Sequence, residues 1–134
     1  MNWKRIAKYS LALWFAGFAV GFVQGLFVAQ ELAAAARYEL IGNVAGFALY
    51  LAVFAHMAAG ADGHPIAETV AAMAATTALS WLCSWALQAL APQIFDGAIG
   101  VLQVAVELAL MAMAAIFGMG LGSYLRDRRR LRSV

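Results

Sequence analysis

The chain has 134 residues, of which 65% are hydrophobic and 12% are charged, and its mean hydropathy is +0.81. This composition lies far outside that of a soluble domain and excludes the soluble classes of protein. The net charge is only +2, so the basic residues carry information through their positions in the chain.

Four apolar runs follow one another, each near the ~20 residues that a helix needs to cross the hydrocarbon core of a bilayer. They occupy residues 6–29, 40–59, 66–91 and 98–122. The connections and tails are short, which leaves no room for a separate soluble domain. We therefore predict an all-α membrane protein in which residues 1–134 form one domain, a bundle of four transmembrane helices.

The first run carries glycines at four-residue spacing, namely Gly17, Gly21 and Gly25. Residues four apart share one face of a helix, and three missing side chains let another backbone approach closely. We interpret this row as a helix-packing face. The partner of this face is either another helix of the same monomer or a helix of another copy in an oligomer.

The second and third runs contain weakly polar faces. Asn43 lies at the edge of the face that holds Gly42, Gly46 and His56. Steps of three or four residues place one polar stripe on the third helix, which consists of Thr69, Met73, Thr77, Ser80, Ser84 and Gln88. We expect this stripe to face other helices, because hydroxyls and amides in lipid need partners, and we expect Trp81 and Trp85 to point elsewhere.

The turn between the second and third runs carries residue types that can bind metals, which are His56, Asp62, His64 and Glu68. Their spacing matches no metal-binding motif that we consider specific. We expect ordinary capping and surface roles for them, and we predict neither a metal nor a cofactor.

Glu107 is the clearly intramembrane acid of the sequence, and it lies near the middle of the fourth run. A carboxylate at that depth is unfavourable by several kcal/mol. Acids there therefore usually face the interior of a helix bundle or an aqueous path, and they mark a functional site. Its helix face also carries small and polar residues, among them Gln103 and Gly118.

The basic residues predict the orientation. Lys4, Arg5 and Lys8 lie at the start of the first run and five arginines lie within residues 126–132, whereas Arg37 alone falls in a connection. Cytoplasmic flanks carry the excess of Lys and Arg, so we predict a multi-pass protein of a bacterial-type inner membrane with both termini cytoplasmic. The C-terminal arginines are expected to contact anionic lipid headgroups rather than nucleic acid.

This topology places the polar side chains of the spans in the outer half of the membrane. The predicted site consists of Glu107, Gln103, Gln24, Gln88 and Asn43. We expect a polar pocket that is closed towards the cytoplasm and open to the outside, and that holds a proton or a cation at Glu107. In the alternative, Glu107 bonds Gln103 or another helix and only holds the bundle together.

The sequence contains no signature of a soluble enzyme, such as a Gly-rich phosphate loop or an HExxH pair, so we predict that the protein is not an enzyme. A transporter or channel-like component, acting as a homo-oligomer, is our first hypothesis. The alternatives are an accessory subunit that binds the helices of a larger membrane complex and a phage holin or immunity-type membrane protein.

Overall fold

A computed structural model describes residues 2–30, 34–61, 64–90 and 101–131, and these segments are helical apart from short flanks. The helices are α1 (Trp3–Gln30), α2 (Ala35–Ala59), α3 (Pro65–Leu90) and α4 (Val101–Leu131). All four are long and apolar enough to cross a membrane. The predicted all-helical class, with four helices that could each span a membrane, is therefore confirmed for the described part of the chain.

The helices extend past the apolar runs at several ends. α2 begins at Ala35 and not at residue 40, and α4 continues to Leu131 and not to residue 122. Hydropathy identifies only the part of a helix that is apolar enough to lie in the hydrocarbon core of a bilayer. The flanks are rich in alanine or arginine, which favour helix, so the backbone stays helical beyond the apolar part.

The closest helix packing joins α2 to α4, and α1 packs on both α2 and α3, whereas α3 meets α4 over a short stretch. Glycines of α4 make the close contact between α2 and α4 possible. A Cβ atom added at Gly118 would lie 2.7 Å from the Cβ of Phe54, and one added at Gly122 would lie 2.9 Å from the backbone nitrogen of Ala59. This pair has the same four-residue spacing as the glycines of α1.

The buried side chains of the described residues concentrate at one end of the molecule, where α1 and α3 begin and α2 and α4 finish. This core consists of Ile6, Tyr9, Leu13, Tyr50, Phe54, Met57, Ala72, Met111, Ala114 and Ala115. Beyond Leu13 in α1 and Thr76 in α3, no described residue of these two helices is buried. The two helices also exchange hydrogen bonds there, since Ser10 Oγ donates to Ala72 O at 3.2 Å and Thr76 Oγ1 donates to Ser10 O at 3.2 Å.

Two arginines contact the last carbonyls of α2 and the turn that follows, so we call this end the arginine end. The guanidinium of Arg5 donates to Met57 O and, at 2.5 Å, to Gly60 O, and Arg126 Nη1 donates to Ala61 O at 3.0 Å. The last carbonyls of a helix have no partner within it, and basic side chains satisfy them here.

Glu68 departs from its expected surface role. It is only 6% exposed, its Oε2 lies 3.6 Å from Arg5 Nε, and its Oε1 accepts the Asn2 N–H at 3.3 Å. The sequence did not reveal this ion pair because its partners are 63 positions apart. Asp62 lies outside the described residues, and among those described no three His, Cys, Asp or Glu side chains form a group that could hold a metal ion.

Candidate functional site

Glu107 pairs with a tyrosine that the sequence prediction did not include. Tyr50 Oη donates to Glu107 Oε1 at 3.3 Å, which joins α2 to α4 well away from the arginine contacts. Tyr50 is 4% exposed. The signal was present in the sequence, since Tyr50 follows Gly42 and Gly46 at the same four-residue spacing and so shares their face of α2.

Gly17 of α1 makes room for this pair. A Cβ atom added at Gly17 would lie 2.5 Å from Tyr50 Oη and 3.6 Å from Glu107 Oε1. Three helices therefore meet where the carboxyl group and the phenol meet. An added Cβ at Gly21 or Gly25 would meet no described atom within 4 Å. Of the predicted packing glycines, only Gly17 thus lies close to another helix within the monomer.

Three cavities lined by described residues meet at Glu107. The first, which we call the polar cavity, has a volume of about 340 Å³ and lies between α1, α2 and α4. Its polar lining consists of Gln24, Glu39, Asn43, Tyr50 and Glu107. It therefore extends from the Tyr50–Glu107 pair to the end of the molecule opposite the arginine end, which we call the cavity end.

The side chain of Gln24, from α1, lies against Gly42 of α2 within the polar cavity. A Cβ atom added at Gly42 would lie 2.5 Å from Gln24 Oε1 and 2.7 Å from Gln24 Cδ. The absent side chain of Gly42 thus provides the space for this amide. Asn43 follows directly in the chain and is exposed to the same cavity.

The second cavity, of about 390 Å³, lies along α1 and α3. Glu107 and Tyr50 share it with three side-chain hydroxyls of α3, those of Thr76, Ser80 and Ser84. The lone cysteine, Cys83, also lines it and is half-buried, so this residue is not enclosed in a packed core.

The third cavity is a cleft of about 620 Å³ between α3 and α4, which we call the α3–α4 cleft. Both Trp81 and Trp85 line it together with Ser80, Ser84 and Gln88. The two indoles, which we expected to point elsewhere than the polar stripe, thus border the same cleft as part of that stripe. Each tryptophan follows a serine by one position, or about 100° around a helix. A cleft this wide accommodates both faces of α3.

The predicted polar residues are divided between two of the cavities. Gln24 and Asn43 share the polar cavity with Glu107, whereas Gln88 shares the α3–α4 cleft with it. Gln103 belongs to α4, but its side chain lies outside the described residues. Glu107 thus lies where the polar cavity meets the α3–α4 cleft, which has a more apolar lining.

The charges that line these cavities have one sign. Glu107 borders all three and Glu39 borders the polar cavity, and none of the described lining residues is a Lys, Arg or His. The carboxyl group and the phenol can exchange a proton. Their oxygens, and those of the hydroxyls and amides, can bind a cation. An anion would find no charged partner among them.

Comparisons with protein families, with curated proteins and with solved structures find no match to this chain. A functional conclusion therefore depends on the geometry of its own residues. That geometry is a single carboxyl group, paired with a phenol, which three cavities share.

Proposed function

We propose that this chain is a small multi-pass protein of a bacterial-type inner membrane that acts as a transporter or channel-like component for protons or cations, with its site at Glu107. The observation that carries the proposal is the position of this carboxyl group where the three cavities meet. Acids at this depth of a membrane typically mark ion pathways and proton relays.

The surroundings of Glu107 favour transport over a purely structural role. A carboxyl group that only held helices together would be enclosed by its partners, as buried polar groups generally are. Glu107 is instead exposed to cavities, and its one described hydrogen bond, from Tyr50, measures 3.3 Å. The carboxyl group is therefore accessible to a ligand.

The difference between the two ends of the molecule gives the pathway a direction. The core closes the molecule at the arginine end, and the polar cavity extends towards the cavity end. With both termini cytoplasmic, as the basic residues predict, the polar cavity opens to the outside. The described conformation is then the outward-accessible one.

Replacing Glu107 by Gln tests the proposal in vesicles that contain the purified protein. Proton influx, driven by a potassium gradient with valinomycin, is followed with trapped pyranine, and sodium influx is followed with a trapped sodium dye. We expect wild-type protein to raise at least one influx above that of protein-free vesicles. Glu107→Gln should return it to the protein-free rate, because Gln keeps the shape of the side chain but cannot ionise.

The matched control is Asp127→Asn, which removes an acid whose side chain is mostly exposed at the arginine end. Asp127 is the exposed partner of its ion pair with Arg126, and pairs with a solvated carboxylate contribute little, so we expect normal flux. Equal flux in wild-type and Glu107→Gln vesicles would contradict the proposal, as would wild-type protein that moves neither ion.

A second candidate function, that of an accessory or oligomeric subunit, has one observation in its favour. Gly25 leaves open space on α1 and borders none of the three cavities, so a helix from another chain can approach it. Replacing Gly25 by Ile should then release a partner, or a second copy, from the protein in a detergent pull-down. Unchanged recovery would remove the glycine row from any such contact.

A further inference from the structure

The α3–α4 cleft has walls unlike those of the polar cavity. Its apolar wall includes the indoles of Trp81 and Trp85 together with Leu108 and Met111. Its polar groups are Glu107 and the hydroxyl and amide groups of α3. The lining is thus that of a small-molecule site, mostly apolar with a few polar groups that fix an orientation.

The size and shape of the cleft argue against an inorganic ion as its occupant. Its volume of about 620 Å³ falls within the ~300–1,000 Å³ that is usual for small-molecule pockets. Hard cations need about six or more oxygen ligands around one point. The polar groups of α3 are instead distributed from Thr77 to Gln88, over roughly 16 Å at helical rise.

The charge of the cleft selects a cation. Glu107 is the one charged residue among the described residues that line it. The faces of indole rings attract cations as well, through their quadrupole, and tryptophan does so best among the aromatic side chains. A carboxylate and two indoles in one cleft therefore favour an organic cation over a neutral or anionic molecule.

The exposure of the tryptophans indicates how such a molecule arrives. Trp81 is 59% exposed and Trp85 is 73% exposed, and α3 and α4 contact each other over a short stretch only. The surface of a membrane-spanning helix faces lipid. A molecule that partitions into the bilayer can thus reach the cleft sideways, between the two helices.

We propose that the α3–α4 cleft binds an amphipathic organic cation, with its charged centre at Glu107 and its apolar groups against Trp81 and Trp85. The proposal rests on the proposed function in one respect, since it makes this class of molecule the transported substrate. Binding itself does not depend on flux. The polar cavity reaches the same carboxyl group, so water and protons have access to it from the other side.

A pair of probes with the same shape and opposite charge tests this proposal. Binding of radiolabelled tetraphenylphosphonium and of tetraphenylborate is measured on the protein in nanodiscs of zwitterionic lipid, with empty nanodiscs as the background. We expect saturable binding of the phosphonium cation and only background binding of the borate anion. Excess unlabelled phosphonium should displace the bound label.

Two variants locate the site. Glu107→Gln should weaken phosphonium binding by at least about tenfold, because a charge-assisted contact is lost. Trp85→Leu should weaken it by about two- to thirty-fold, the range that cation–π contacts span. Since Trp85 is exposed, its replacement does not disturb the core, and circular dichroism with size-exclusion chromatography verifies folding of both variants.

Several results would overturn the inference. Equal binding of both probes, or binding that Trp85→Leu and Glu107→Gln leave unchanged, would show an apolar groove that holds lipid chains. Absence of saturable phosphonium binding to the wild-type protein would overturn it even where Glu107-dependent proton or sodium flux is present. Conversely, Glu107-dependent binding without any flux would retain the site and reject the transport function.

Discussion

The two ends of this molecule differ in how their helices meet. At the arginine end the side chains are buried, the last carbonyls of α2 have guanidinium partners, and Glu68 is paired. At the cavity end the same helices leave three cavities, bordered by polar side chains and by exposed indoles. Close packing at the arginine end holds the four helices in place. Their looser packing at the cavity end leaves the space in which a site can form.

Small residues determine which half packs closely. Gly118 and Gly122 lie in the half of α4 that approaches the arginine end, and their missing side chains bring α2 and α4 into backbone contact. Towards the other end, the atoms nearest to Gly17 and Gly42 belong to side chains, among them Tyr50 and Gln24. The contrast predicts that variants at the arginine end change stability, whereas variants near Glu107 change binding and flux.

The largest expected effect is that of Arg5→Ala. The variant removes the hydrogen bonds to Met57 O and Gly60 O and leaves the Glu68 carboxylate buried without its cation. Loss of one partner of a buried ion pair typically lowers the free energy of unfolding by ~3–5 kcal/mol. Unfolding of the detergent-solubilised protein by SDS, followed by circular dichroism, measures the change.

Lys4→Ala is the control for charge, because Lys4 is the exposed neighbour of Arg5. We expect its unfolding curve to match that of the wild type. If both variants unfolded alike, the arginine contacts would not be the element that closes this end.

The next effect in size is that of Gly122→Ala. The new Cβ would meet the backbone of α2 at Ala55 and Ala59, which cannot move aside as a flexible side chain can. Overpacking of this kind lowers the free energy of unfolding by ~1–3 kcal/mol. Gly120→Ala, two residues away in the same helix and with no described atom within 4 Å of its new Cβ, should unfold like the wild type. Equal midpoints for the two variants would disprove the close contact of α2 with α4.

A smaller effect is expected for Thr76→Val. Its single O–H donor is shared between Ser10 O at 3.2 Å, across to α1, and Ala72 O at 2.8 Å within its own helix. Loss of this interhelical bond should lower the free energy of unfolding by ~0.5–1.5 kcal/mol. Thr77→Val removes only the bond to Met73 O in its own helix, so thermal unfolding should separate the two variants, with Thr77→Val the more stable.

The smallest change in stability and a clear change in function are expected for Gly17→Ala. The added methyl group would displace the Tyr50 hydroxyl from Glu107, and this hydroxyl is the far end of a side chain and not backbone. Loss of one hydrogen bond to the site should lower flux by about two- to tenfold. Gly25→Ala adds the same group to open space on the same helix, at a residue that borders none of the three cavities, and should leave flux unchanged. A decrease in both variants would contradict the role of the pair.

The sequence predicted the class of fold because hydrocarbon imposes composition and length on each helix directly. It also named Glu107, Gln24 and Asn43, which line one cavity, because polar side chains in an apolar span are few. Their role as a site stays a prediction. These parts of the prediction depend only on local sequence and on position along one helix.

The pairing of faces between helices could not be predicted in the same way. Glycines at four-residue spacing occur in α1 and in α4, and only the structure shows that Gly118 and Gly122 contact α2 while Gly21 borders a cavity. The rotation of each helix results from packing against all its neighbours together. Tyr50 was missed for the same reason, because its hydroxyl finds Glu107 only after α2 and α4 have paired.

Sided labelling of a cysteine in the polar cavity tests the contrast between the two ends most directly. In a Cys83→Ala background, Asn43→Cys reports on the polar cavity and Ala72→Cys reports on the core at the arginine end. The charged, membrane-impermeant reagent MTSET is applied to right-side-out and to inverted vesicles. We expect rapid modification of Asn43→Cys from the outside only and none of Ala72→Cys from either side. Modification of Ala72→Cys at a similar rate, or an unreactive Asn43→Cys, would contradict an aqueous cavity that opens at one end and is closed at the other.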